Sequence, residues 1–317
     1  MEYICNKPIL LIFFNRPETF KKVFEQVRKA RPKTLILAQD GPRNESDIEG
    51  IKKCREIAES VDWECEIIRD YSAENLGCGR RPMTAITKAL EKFEDVIILE
   101  DDCVPSQSFF PYCEELLDKY KDDQRICYIS GLNHFEEWEC GNNDYFFTKS
   151  GAIWGWATWR RVWSKYYDYY VSGILDEYNL EIVRGQFSRK SAFDSRMISW
   201  KKANSSLQTK EKLSYWDAQW GFVKYSQNML VIVPRRNLIR NIGVGAKSTH
   251  AQNIKYSGFK KYKNFVFIPI HDLEFPLKHP QICAADIKYD DFVYRVAAGN
   301  PIRRIVAKTV KKILGKK

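Results

Sequence analysis

Three consecutive acids, Glu100-Asp101-Asp102, follow directly on the apolar run Val96-Ile97-Ile98-Leu99. Adjacent carboxylates repel one another, so a fold that gathers them needs a positive partner. A hard divalent cation bridging a diphosphate, Mg²⁺ or Mn²⁺, suits such a cluster. The plainer reading is a solvated acidic turn at a strand end. Asp217, set between Trp216 and Trp220, is a second candidate. An aromatic setting tends to raise a carboxylate's pKa, which suits a proton acceptor, although an acid here also suits a helix cap. Arg16 lies between a strand end and a helix start, where an anionic ligand is favoured. Arg80 and Arg81 belong to Asn75-Leu76-Gly77-Cys78-Gly79-Arg80-Arg81-Pro82, read as a glycine-containing loop. Glycine permits close backbone approach and arginine matches phosphate geometry, but the stretch is neither a Walker loop nor a G-x-G-x-x-G motif. Asp40, in Gln39-Asp40-Gly41-Pro42, is either a ligand contact or a turn former.

The elements that must position these residues follow from periodicity. Ile9 to Phe14 reads as a buried strand, and Phe20, Val23, Phe24 and Val27 then recur at helical spacing. Thr34 to Ala38 and Glu64 to Arg69 read as further strands, with a helix sketched by Ile48, Ile51, Ala58 and Val61 between them. Met83, Ile86, Leu90 and Phe93 mark a helix before the acidic triplet; a helix near Gln107 to Tyr120 and a strand at Ile126 to Ser130 come after it. This β-α alternation predicts a mainly parallel sheet, with ligands beyond the carboxyl ends of its strands.

The second half differs in composition. Eight of the nine tryptophans lie between Trp138 and Trp220. Trp154, Trp156 and Trp159 form one group, and Trp216 and Trp220 another. Aromatic faces with interleaved polar groups suit sugar rings, though tryptophan is equally good core material. Asn241 to His250 is glycine-rich and polar, a segment able to close over a ligand, with His250 as a phosphate or metal contact.

The 317 residues, 44% hydrophobic, suffice for one large α/β domain or two smaller ones. Nine cysteines without a C-x-x-C point to a reducing cytosol rather than a disulfide framework or zinc ribbon. There is no signal-type N-terminus and no run long enough to span a membrane. Of the net charge of +10, seven positive residues with no acid lie in 301–317, which leaves a mildly basic body and argues against nucleic-acid binding. That tail carries Ile302, Ile305, Val306, Val310, Ile313 and Leu314 on one helical face and its basic residues mostly on the other. The pattern suits an interfacial helix on an anionic membrane.

From Pro8 to His250 the chain resembles the GT-A nucleotide-diphospho-sugar glycosyltransferases, in particular the N-acetylglucosaminyltransferase I type and its bacterial relatives. The resemblance rests on Phe13-Phe14-Asn15-Arg16-Pro17, Gln39-Asp40-Gly41, Glu100-Asp101-Asp102 with Pro105 and Phe109-Phe110, Gly155-Trp156, Tyr215-Trp216-Asp217 and Ser248-Thr249-His250. It implies a Rossmann-like α/β fold with a mainly parallel sheet flanked by helices. Residues 1–130 would form the nucleotide-sugar half and 131–285 an aromatic-rich acceptor half, with 286–317 as a basic amphipathic tail. It also implies roles: Arg16 and Arg80 or Arg81 on the donor diphosphate, Asp40 on uracil, Glu100 and Asp101 on ribose and sugar, and Asp102 on Mn²⁺ (or Mg²⁺). Asp217 would be the general base, with Trp156, Trp216 and His250 as further substrate contacts.

The expected function is an inverting, metal-dependent transfer from a nucleotide-sugar, a UDP-sugar such as UDP-GlcNAc, to a glycan or glycolipid in surface polysaccharide synthesis. The enzyme would sit on the cytoplasmic face of the membrane. Two alternatives stand beside it: a sugar-nucleotide nucleotidyltransferase, and a non-catalytic carbohydrate-binding protein. Against the first of these, Phe14-Asn15-Arg16-Pro17 lacks the glycine-rich loop such enzymes carry after their first strand.

Overall fold

The structure, a computed structural model, describes residues 3–172, 176–243 and 268–298. Strand β1 (Ile9–Phe13) is buried along its whole length. Helix α1 (Pro17–Ala30) follows with Pro17 in its first turn, where a missing N–H is harmless, and sends Phe20, Val23, Phe24 and Val27 into the core. Next come β2 (Thr34–Gln39), α2 (Ile48–Ala58), β3 (Glu66–Tyr71), α3 (Gly77–Lys92) and β4 (Asp95–Glu100). The four strands lie side by side as β3-β2-β1-β4, all parallel, with helical crossovers between them. This is the Rossmann-like order, and it makes β1 and β4 central neighbours. Their register sets Ile9 opposite Ile97 and Ile12 opposite Glu100, so both strands end at the same rim.

Beyond β4 the sheet changes character. After β5 (Cys103–Pro105) and α4 (Phe109–Lys119) come β6 (Ile126–Ser130), β7 (Tyr145–Thr148) and β8 (Trp156–Trp159). The second half continues with α5 (Arg160–Tyr166), α6 (Glu177–Arg184), α7 (Lys190–Thr209), α8 (Asp217–Ser226), β9 (Leu230–Pro234), β10 (Ile239–Asn241) and α9 (Ile287–Ala298). The eight-stranded sheet runs β3-β2-β1-β4-β8-β6-β9-β7. Strand β8 is antiparallel to both β4 and β6, and β7 is antiparallel to β9. The molecule is therefore a mixed α/β protein, a large central sheet flanked by helices, and the sheet is not mainly parallel on its far side. No helical crossover separates β6, β7 and β8, and parallel placement depends on such crossovers.

Two local expectations need correction. The stretch from Gly77 to Pro82 is not a loop but the opening of α3, with Pro82 inside the helix. The cause lies in Asp40, which is buried just past β2. Its carboxylate accepts hydrogen bonds from the backbone N–H of Leu76 and Gly77, both at 2.9 Å, and from Gly41 N at 3.0 Å and Asn75 Nδ2 at 3.1 Å. A carboxylate at a helix N-terminus satisfies orphan donors and matches the helix dipole. The second correction concerns 286–317, set apart in the sequence as a tail. Its first part, α9, packs on the body through Tyr289, Val293 and Tyr294, and the hydroxyl of Tyr289 accepts a bond from His134 N at 3.1 Å. Residues 299–317, which carry the basic face, lie outside the described residues.

Because four hydrogen bonds converge on the buried Asp40, Asp40→Ala should lower stability by about 2 kcal/mol, at the upper end of capping losses. Urea unfolding checks this; an unchanged midpoint would mean that α3 does not rely on this cap.

Candidate active site

The acids at the end of β4 do not stand alone. Arg16, the residue before α1, directs its guanidinium at them. It forms an ion pair with Asp101 through Nη2, a second contact with Asp101 through Nε at 3.3 Å, and a pair with Asp102 Oδ2 at 3.0 Å. The Phe14 N–H also donates to Asp101 at 3.3 Å. Asp101 is thus buried and turned inward, toward the end of β1. Despite burial, Asp101 and Asp102 hold the Arg16 pKa above its ordinary value.

Three carboxylates against one guanidinium leave an excess of negative charge. Burial, then the neighbouring Asp102 and Asp101, push the Glu100 pKa upward. Burial also raises Asp101, with Arg16 opposing. The Glu100 carboxylate has no hydrogen-bond or ion-pair partner among the described residues. Such a rim attracts a cation. No group of three His, Cys, Asp or Glu side chains able to hold a metal occurs among the described residues. A cation on Asp102 would therefore take most of its ligands from a bound anion and water, a mode that suits Mg²⁺. In charge and oxygen chemistry the residues present fit a divalent ion.

Asp102 is held from a second direction. Strand β10 pairs antiparallel with β5, setting Asn241 opposite Cys103. Asn241 Nδ2 reaches Asp102 Oδ1 at 3.4 Å, and the Ile242 N–H donates to the Asp102 carbonyl at 2.8 Å. A Cβ on Gly243 would lie 2.0 Å from Asp102 Oδ2, so only glycine lets the backbone cover this carboxylate. Sequence reading took this segment for a closing loop. Its contact with Asp102 depends on strand pairing across more than a hundred residues.

Asp217 is the first residue of α8. Its side chain is exposed and has no hydrogen-bond or ion-pair partner among the described residues, so it is not a cap. It adds to the upward push on Glu100. Desolvation raises the Cys78 thiol, and Glu100, Asp40 and Asp217 raise it further, so all three acids lie within electrostatic reach of it. The approach of the two halves is close: a Cβ on Gly79 in α3 would lie 2.1 Å from the Leu213 carbonyl oxygen, just before α8.

Several expected contacts are engaged elsewhere. Arg81 is buried in an ion pair with Asp70 at 2.8 Å, whereas Arg80 is exposed beside Tyr169 and Tyr170, 3.4 Å from Tyr170 Oη. Of the two, Arg80 is the one open to a ligand. Asp40 is committed to capping α3. Trp156 and Trp216 are corrections: they are 0% and 4% exposed and stack on each other with ring centroids 5.7 Å apart. With Trp163 and Trp220 they form an aromatic core, so no sugar can lie on their faces. Their burial turns the neighbouring Asp217 outward rather than enclosing it in an apolar setting. His250 lies outside the described residues. Arg196 and Lys224 carry no signal in the sequence, whereas Trp154 belongs to the aromatic group singled out there. They line a cavity of about 290 Å³ together with Asp217.

No protein-family profile matches the sequence, and no curated protein does. Solved structures of similar shape include a UDP-glucose pyrophosphorylase complexed with UDP-glucose, 10% identical, with 79% of this chain and 98% of that chain covered and a TM-score of 0.38. A 4-diphosphocytidyl-2C-methyl-D-erythritol synthase from Anaerococcus prevotii is 11% identical, covering 79% and 99% with a TM-score of 0.36. HddC from Yersinia pseudotuberculosis is 9% identical, covering 49% and 77% with a TM-score of 0.30. At such scores the likeness carries no inference about chemistry.

Arg16 is the counter-charge of a buried carboxylate. Arg16→Met should destabilise the protein toward the lower end of the roughly 3–5 kcal/mol typical of a broken buried pair, since 26% of its side chain is exposed. Adding Asp101→Asn should restore more than half of that loss, because the stranded charge is then removed. Urea midpoints of the two variants test this, and a double variant no better than the single would refute the electrostatic origin.

Proposed function

We propose that the protein is an inverting, metal-dependent glycosyltransferase of the GT-A kind, using a nucleotide-sugar donor, UDP-linked, and a glycan or glycolipid acceptor. The observation that carries this reading is Asp217: an exposed, uncommitted carboxylate beside a cavity and within electrostatic reach of Glu100. A displacement at the anomeric carbon needs a base on the side opposite the leaving phosphate, and an acid outside the triplet provides one.

In this mechanism the diphosphate binds at the rim of β1 and β4. Arg80 and the remaining N–H groups of Arg16 orient it, and Asp102 would hold Mn²⁺ or Mg²⁺. When bound, the ion neutralises charge on the diphosphate as the nucleotide leaves. Asp217 takes the proton of the acceptor hydroxyl as its oxygen bonds to the anomeric carbon and the bond from that carbon to the phosphate oxygen breaks. Arg16 keeps Asp101 and Asp102 at fixed positions throughout.

A second reading is a sugar-nucleotide nucleotidyltransferase. The structures of similar shape include a pyrophosphorylase and a diphosphocytidyl synthase, nearer to this reading than to the first, at a similarity too low to carry it. The two differ in substrates. A thermal-shift screen of nucleotide-sugars with and without Mn²⁺ identifies a donor, since a ligand bound only by the native state stabilises it. The first reading expects sugar transfer from that donor to an acceptor. Production of pyrophosphate from a nucleoside triphosphate and a sugar 1-phosphate would replace it with the second.

Asp217→Asn should lower kcat by about 10²–10⁴-fold, the usual contribution of a positioned base, while donor affinity and melting temperature hold. Normal turnover in this variant would assign the base elsewhere. The segment 301–317 is proposed as an anionic-membrane anchor, on its seven basic and no acidic residues. Deleting it should release the protein from phosphatidylserine vesicles in a co-sedimentation assay, with turnover of a soluble acceptor retained. Equal sedimentation of both forms would refute the anchor.

A further inference from the structure

The cavity of about 290 Å³ beside Asp217 has chemistry that general acid-base catalysis does not require. Tyr128, Trp154 and Trp220 are among its apolar walls, and Arg196 and Lys224 supply two cations. Lys224, on α8 two turns beyond Asp217, is 3% exposed. Its ammonium has no hydrogen bond or ion pair among the described residues, only ring faces, with Tyr225 and Tyr128 centroids 5.3 and 5.9 Å away. Asp290 lies within electrostatic reach but is engaged by Thr148 Oγ1 and by Lys149 N at 3.1 Å. Lys149 is itself bonded to Asn228 at 2.7 Å and adds to the positive side. Burial, then Arg196, push the Lys224 pKa down to about 7. His134, in the same wall, is pushed by burial down to about 4 and contributes no charge at neutral pH.

A buried ammonium without a counter-ion is costly, and two cations facing one cavity add mutual repulsion. Both penalties are relieved by an anion bound between them. The indole N–H of Trp220 is buried without a hydrogen-bond partner among the described residues and is a further donor in that wall. The anion cannot be the donor diphosphate if that group occupies the rim of β1 and β4. It must come with the molecule whose hydroxyl reaches Asp217, since Asp217 lines the same cavity. An apolar ring beside paired cations is the surrounding that an acidic sugar matches: a C–H face against the half-buried Trp154, and an anionic substituent toward Lys224 and Arg196.

We propose that this cavity is an acceptor subsite for a negatively charged sugar, bearing a carboxylate or a phosphate, with Lys224 and Arg196 as its specificity-determining residues. The proposal rests on the glycosyltransferase reading for the role of Asp217, but the binding it requires needs neither donor nor turnover. It also accounts for a lysine at a buried position of α8, where a methionine would pack with no charge to desolvate.

Calorimetry on the full chain at pH 6.5 tests it with three probes: methyl β-D-glucuronide, methyl β-D-glucoside 6-phosphate and neutral methyl β-D-glucoside. One anionic probe should bind at least about tenfold more tightly than the neutral one, and its identity distinguishes carboxylate from phosphate. Lys224→Met and Arg196→Gln should each abolish that preference. Lys224→Met should melt at or above the parent temperature, because it removes an unpaired buried charge. Arg196 is exposed, so its variant reads the site even if Lys224→Met fails to fold. Equal or absent binding of all three probes overturns the proposal, as does a preference that survives in Arg196→Gln and in a folded Lys224→Met. Nucleotide-sugar binding is titrated separately. Loss of the anionic preference with donor binding intact sinks the subsite alone, and the reverse pattern sinks the glycosyltransferase reading alone.

Discussion

The pairing of Arg16 with Asp101 and Asp102 is the constraint on which the rest of the site depends. It joins the end of β1 to the end of β4, adjacent parallel strands whose C-terminal rim would otherwise hold three acids without a counter-charge. The pair also fixes direction. Asp101 is drawn inward to Arg16 and the Phe14 N–H, and Asp102, its neighbour in sequence, keeps 15% of its side chain exposed. One cation thus serves two adjacent acids.

Around this rim, parts from distant stretches of chain converge through backbone contacts. The β10–β5 pairing brings Asn241 and Gly243 onto Asp102. The glycine at 79 lets α3 approach the segment before α8, and Asp40 holds the first turn of α3 from below. Each of these contacts uses a main-chain group or a missing side chain, so the cleft is shaped by close packing of backbone rather than by long flexible side chains.

The two halves divide the chemistry. The parallel half supplies charge at a strand rim, as Rossmann-like sheets do. The mixed half supplies a tryptophan-rich core whose function is to set α8, because Trp216 and Trp220 point inward and leave Asp217 and Lys224 on the cavity side. Asp217 and Lys224 thus share one rigid helix, with an acid at its start and a cation two turns on.

The alternation of apolar strands with amphipathic helices in the first 130 residues was legible from the sequence, because burial on both faces and helical spacing are local patterns. So was the acidic triplet at a strand end. The antiparallel strands β7 and β8 were not, since strand direction is set by which partners lie adjacent and not by composition. Trp156 and Trp216 read equally as platform or core, and only packing could decide, because indole buries as readily as it stacks. Arg80 and Arg81 are neighbours of identical type, yet helical geometry turns one to Asp70 and the other to solvent. Lys224 shows the limit most plainly. In sequence it is an ordinary basic residue on a helix, and only the tertiary structure, by setting its ammonium against the rings of Tyr128 and Tyr225 with no ion pair among the described residues, makes it a charge in want of a partner.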